Sequence, residues 1–110
     1  GAPTVREHDG LAMSSRNAYL SAEERAKAPT LYAAIAAVAK EIADGREIPA
    51  TIEEARQKLI SAGFDTVDYV EARHADSLAP LTSSGVPGRI LAAARLGRTR
   101  LIDNVAVPTQ

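Results

Sequence analysis

Leu31, Ile35, Val38 and Ile42 recur at the spacing that lines up side chains along one side of a helix, while Lys40, Glu41 and Asp44 fall mostly off that stripe. Gly45 marks the stop. The alanines between the larger apolar positions predict close packing of this helix against a neighbour. A shorter helix is predicted upstream, because Ser21 followed by Glu24 has the spacing of a capping box, and it runs toward Ala28 before Pro29 interrupts or restarts the chain. Thr51 and Glu54 repeat the capping-box spacing, so a further helix is predicted after Thr51, with Ile52, Ala55, Leu59 and Ile60 on its apolar face and Gly63 at its end. Gly45 to Pro49 reads as the short connection between the two longer helices.

Beyond Gly63 the period changes. Val67 to Arg73 is rich in β-branched and aromatic residues and predicts a strand, with Val70 and Ala72 on one face and Tyr69, Glu71 and Arg73 on the other. Leu78 to Leu81 is irregular, and Thr82 to Gly88 has the composition of an exposed loop. Ile90 to Ala94 is continuously apolar, as suits a strand buried on both faces. Gly97-Arg98-Thr99 reads as a three-residue link to a last strand, Arg100 to Val107, giving an antiparallel hairpin. Three strands with amphipathic helices packed on one face make an α+β domain, since so small a sheet needs a helical layer to be stable.

At 110 residues the chain holds one modest core and is too short for a nucleotide-binding domain plus a substrate domain. Its 13 Lys and Arg against 14 Asp and Glu leave a net charge of -1, which argues against nonspecific binding to nucleic acid or to an anionic membrane. Cysteine is absent, which excludes disulfides and thiolate metal sites. No apolar run approaches the roughly 20 residues of a membrane span, and the start lacks a signal-peptide pattern.

The chemistry concentrates in Arg6 to Asn17, where Ser14, Ser15 and Arg16 stand side by side in a segment poorly suited to a core element. Two hydroxyls and a permanently charged, planar guanidinium match phosphate oxygens. On spacing alone the competing reading stays open: the serines bond local backbone ahead of a helix and Arg16 is solvated. Asp9-Gly10 reads as a turn rather than a Mg2+ site, and His8 and His74 are isolated, without metal spacing. Arg95, Arg98 and Arg100 read as a solvated basic face, with Arg98 at a hairpin tip where a second domain could meet it. Asp103-Asn104 is disfavoured inside a strand, which calls for a buried hydrogen-bond network near the sheet end.

The run from Arg6 to Arg25, together with Gly63-Phe64, Val67 to Arg73 and Ala93 to Asn104, resembles in order the C-terminal domain of the pantoate-beta-alanine ligase family. The resemblance covers nearly the full chain. It implies a cytoplasmic, adenylate-forming ligase, expected as a homodimer, that condenses pantoate with beta-alanine through pantoyl adenylate and releases AMP and pyrophosphate. By that resemblance Met13-Ser14-Ser15-Arg16 plays the part of the Lys-Met-Ser-Lys-Ser loop of class I aminoacyl-tRNA synthetases. Ser14, Ser15 and Arg16 would hold the ATP phosphates, with Arg16 also acting in catalysis, and Val5 and Met13 would lie against the adenine. Mg2+ is expected in the complete enzyme, bound mainly outside these residues. The family's N-terminal Rossmann-like domain carries a His-x-Gly-His motif that this sequence lacks, so the chain is expected to be an excised C-terminal domain, inactive alone, with Gly1-Ala2 either linker or cloning remnant. Two rivals are an independent interaction module and the lid of another adenylate-forming enzyme. A further expectation is that Arg6 to Asn17, lacking its partners, is the least restrained internal segment apart from the Ser83 to Gly88 loop; docking of Leu11 and Leu20 is the competing outcome.

Overall fold

Ser21 and Glu24 form the reciprocal cap that their spacing predicts: the Ser21 hydroxyl accepts from the Glu24 amide at 3.1 Å, and the Glu24 carboxylate accepts from the Ser21 amide at 2.9 Å. In this computed structural model, which describes residues 4–109, that cap opens helix α1, Ala22–Lys27. Gly1 and Ala2 lie outside the described residues. Pro29 stands at the N-cap of α2, Thr30–Ala43, where its missing N–H leaves no bond unmade. Leu31, Ile35, Val38 and Ile42 are all buried, and α2 ends at Asp44 and Gly45, the glycine with a positive φ of 94°.

Helix α3 departs from the expected start. It spans Ile48–Ala62, so Ile48 and Pro49 belong to its first turn and not to the connection. Thr51 is therefore inside the helix, fully buried, and its hydroxyl donates to the Glu47 carbonyl at 2.7 Å instead of capping. Proline at the first turn outweighs the Thr51–Glu54 spacing. Ala55 and Leu59 are buried as expected, but Ile60 is exposed, since it falls on the outer side of the Ala55–Leu59 stripe. Gly63 closes the helix in the left-handed region, with the Phe64 amide donating back to the Leu59 carbonyl and the Phe64 ring buried in the core.

The sheet is antiparallel, in the order β1 (Thr66–His74), β2 (Gly88–Leu96), β3 (Thr99–Val107). A register shift between Val67 and Tyr69 leaves Asp68 as an extra residue, and the bulge lets both Val67 and Val70 pack against the core although they are three apart. Helix α3 lies over β1, and α2 over β2 and β3, so both helices cover one sheet face. Ile90, Ala92, Ala94 and Leu96 point into that layer with Leu101, Asp103 and Val107. Ala93 is also buried, on the open face, flanked in register by Tyr69 and Ile102, whereas Leu91 is only half-buried.

Leu96 pairs with Thr99, so the hairpin turn is two residues, Gly97-Arg98, rather than the expected three. Gly97 has a φ of 59° and its amide donates to the Asp65 carboxylate at 2.6 Å. A side chain at Gly97 would collide with the Glu24 carboxylate. The basic cluster is not simply solvated either. The Asp68 carboxylate accepts from Arg100 at 2.7 Å and lies 3.5 Å from Arg95, an arrangement that the bulge at Asp68 allows. No helix among the described residues is long and apolar enough to cross a membrane.

Candidate functional site

The segment preceding the helices folds into a small hairpin. Arg6 and Ala12 form an antiparallel bridge, the Glu7 amide donates to the Leu11 carbonyl at 2.7 Å, and the Met13 amide donates to the Val5 carbonyl at 2.9 Å. Its turn is Asp9-Gly10, as expected. The Asp9 carboxylate accepts from the Leu11 amide, and Gly10 takes a φ of 97° with the Tyr32 ring packed where a side chain would stand. Leu11 is only 3% exposed, and Leu20 packs against the core. Both leucines are thus docked, the competing arrangement for Arg6 to Asn17, and the ion pairs described next tie the hairpin further, whereas Ser14 to Arg16 stay exposed.

Two charged residues of the hairpin are tied down. Asp9 takes Arg25 through both oxygens, at 2.8 and 3.3 Å, and this guanidinium holds its carboxyl below the ordinary carboxylate value. Arg6 reaches Asp103 of β3 through two hydrogen bonds of 2.7 and 2.9 Å, and donates also to the carbonyls of Asn104 and Gly10. The Asn104 side chain accepts from Arg89 at 2.8 Å. This is the network that the placement of Asp103-Asn104 in a strand calls for. Arg6, some 97 positions earlier in the chain, carries no sequence signal for its role.

Past the hairpin the side chains turn outward. Val5 and Met13, opposite each other at the mouth of the hairpin, are 66% and 53% exposed. Ser14 caps the short 3-10 helix Ser15–Tyr19 by accepting from the Arg16 amide at 3.1 Å, so the local reading of this serine holds; as a donor its hydroxyl enters no hydrogen bond among the described residues. Asn17 braces the turn, donating from its side chain to the Ala12 carbonyl at 3.0 Å and from its backbone to the Ser14 carbonyl at 3.1 Å. Its side-chain oxygen is buried without a partner among the described residues.

Met13, Ser14, Arg16 and Asn17 line one wall of a cleft of about 250 Å³ whose other wall includes Arg100 and Asp103. Val5 and Ser15 stand beside it without lining it. Arg16 is exposed and, among the described residues, enters no ion pair, unlike Arg6, Arg25, Arg46, Arg56, Arg73, Arg95 and Arg100. A wider hollow of about 890 Å³ borders α3, but it is open to solvent and its surface is mainly apolar, made by Ala50, Ala62 and the stems of side chains such as Glu53, Gln57 and Lys58. The smaller cleft is the better candidate: the uncommitted Arg16 guanidinium, the Ser14 hydroxyl and Met13 line it, with Ser15 and the exposed Val5 beside it, and together they can bind a polyanion that carries a flat ring. Three His, Cys, Asp or Glu side chains placed to hold a metal do not occur among the described residues, and Asp9 is engaged by Arg25.

Residues 1–106 match the family model described as pantoate-beta-alanine ligase. The chain is 60% identical over 108 residues to a pantothenate synthetase of Rhodopseudomonas palustris and 54% identical over 107 residues to that of Sphingopyxis alaskensis. In each case it aligns over 97% of its own length but spans only 38% of the relative's. Among solved structures, the pantothenate synthetase of Thermus thermophilus superposes with a TM-score of 0.83 at 42% identity, over 97% of this chain and 39% of that one. The pantoate-beta-alanine ligase of Francisella tularensis, solved in complex with beta-gamma ATP and beta-alanine, gives a TM-score of 0.62 at 28% identity, over 99% of this chain and 33% of its own.

Proposed function

We propose, from the premise that this chain belongs to the pantoate-beta-alanine ligase family, that it is the C-terminal domain of such a ligase and supplies one wall of its ATP site. Its partners are then an N-terminal nucleotide-binding domain, ATP, pantoate and beta-alanine, and the domain alone is inactive. The reaction has two steps. A pantoate carboxylate oxygen attacks the α-phosphorus of ATP and the bond to the pyrophosphate oxygen breaks; the amine of beta-alanine then attacks the acyl carbon of pantoyl adenylate, and AMP leaves.

In the first step negative charge builds on the departing pyrophosphate. Arg16 meets that charge with its planar fork of donors, and the Ser14 and Ser15 hydroxyls donate to neighbouring phosphate oxygens. Val5 and Met13, exposed at the hairpin mouth, cover the adenine ring. The domain supplies no nucleophile or general base in this reading. It acts by alignment and charge stabilisation. Mg2+ would be held mainly by residues outside this domain, where it would neutralise phosphate charge.

The observation that carries this reading is the unpaired state of Arg16 beside Ser14 and Ser15, in a chain where most arginines are held by carboxylates. Arg16→Ala in the complete ligase is expected to slow single-turnover formation of pantoyl adenylate by about a hundredfold to a thousandfold, the usual cost of losing one preorganised donor. Near-normal adenylation by that variant would remove Arg16 from the site.

A further inference from the structure

We propose that Arg6 and Asp103 are positioning residues for nucleotide binding: their ion pair sets the orientation of the hairpin that presents Val5, Met13 and the Ser14–Arg16 turn. The inference rests on the ATP-site reading above and adds residues that touch no phosphate in it.

Arg6 engages three parts of the molecule at once. Its two terminal nitrogens pair with both Asp103 oxygens at 2.7 and 2.9 Å, one also donates to the Asn104 carbonyl at 3.0 Å, and the other donates to the Gly10 carbonyl at 3.1 Å. The guanidinium carbon lies 4.0 Å from the centroid of the Tyr32 ring, on α2. Strand β3, helix α2 and the hairpin turn are thereby fixed to one rigid plane. Asp103 is itself held, because its Oδ1 also accepts from the Asn104 amide at 2.7 Å.

Such an arrangement is a poor way to obtain stability alone. A buried ion pair loses so much hydration that apolar residues of equal volume often do as well or better. What a bidentate, stacked guanidinium does supply is direction, since its fork fits the carboxylate in one plane only. The direction matters here for two reasons. Arg6 is the neighbour of Val5, whose carbonyl accepts from the Met13 amide, so a tilt of Arg6 moves the hairpin mouth. Asp103 also lines the same cleft as Met13, Ser14 and Arg16, so the latch is built into the wall that faces the nucleotide.

Arg6→Lys in the complete ligase tests this, because it keeps the charge and removes the fork. The expected result is a rise of about tenfold in KM for ATP, with KM for pantoate and for beta-alanine changed by no more than about twofold. Asp103→Asn, which keeps the shape and removes the charge, is expected to shift KM for ATP in the same direction and carries the test if Arg6→Lys does not fold. A latch that serves only stability would instead lower kcat in step with the folded fraction and leave KM for ATP unchanged. That outcome, or an equal rise in all three KM values, overturns the proposal. The Arg16→Ala experiment keeps the two readings apart: normal adenylation there sinks the ATP site, whereas impaired adenylation there with an unchanged KM for ATP in both latch variants sinks the latch alone.

Discussion

Arg6 to Leu11 and Met13 to Arg16 are adjacent in sequence and opposite in physical state. In the first stretch the anchoring groups are engaged, Arg6 by Asp103, Asp9 by Arg25 and Leu11 by the core, while Glu7 and His8 make no side-chain bond among the described residues. In the second stretch Met13, Ser14, Ser15 and Arg16 are all exposed, and the guanidinium stays outside every ion pair among the described residues. The contrast shows how a small domain presents a phosphate-binding turn. One half of the segment is fixed by interactions within the protein so that the other half can keep its donors for a ligand, without each donor needing support of its own.

Truncating one anchor and one ligand group should separate the two halves by their effect on stability. Leu11→Ala should cost about 2–5 kcal/mol in urea unfolding, because a buried leucine leaves a cavity that the surrounding side chains only partly fill. Arg16→Ala should stay within about 0.5 kcal/mol of the parent. Comparable losses from the two substitutions would erase the division between an anchored half and a presenting half.

A smaller effect is expected at the turn. Gly10→Ala places a side chain against the Tyr32 ring at a φ of 97°, a backbone state that costs a non-glycine residue on the order of 1–3 kcal/mol. The damage should be local, and amide hydrogen exchange reads it: the Glu7 and Met13 amides, which close the hairpin, should lose protection while those of Ile90 to Ala94 keep theirs. If Glu7 and Met13 exchange freely in the unmodified protein too, the hairpin is not anchored in solution as described.

The smallest effect concerns Asp9. Pairing with Arg25 lowers its pKa from the ordinary 3.8, so the folded state favours the ionised carboxylate more than the unfolded chain does. The stabilisation is therefore complete above that ordinary value and disappears as the pH falls through the lowered one. Both groups are on the surface, where such pairs contribute little. Comparing the parent with Arg25→Ala across acid pH should show a small stability gap that closes below pH 3.8; a gap that stays constant would mean that Arg25 acts by packing and not by charge.

Much of this molecule was legible from residues a few positions apart. The Ser21–Glu24 cap, the Leu31 to Ile42 stripe, the Gly63 stop and the Val70–Ala72 face of β1 act within one or two turns, and each appears where its spacing places it. The Ser14, Ser15 and Arg16 donors were likewise visible as residue types. Local signals failed where two of them competed, as when Pro49 in the first turn of α3 displaced the Thr51–Glu54 cap. They also failed where geometry alone chose, as in the bulge that brings Asp68 to Arg95 and Arg100. Tertiary structure alone decided which charges are occupied. Arg6 finds Asp103 across 97 positions, Arg25 finds Asp9 across 16 and Arg100 finds Asp68 across 32, and nothing in the chain distinguishes these arginines from Arg16. A side chain's type fixes what it can bind, but its availability depends on which carboxylates the folded backbone brings within about 3 Å of it, and that depends on every element between them.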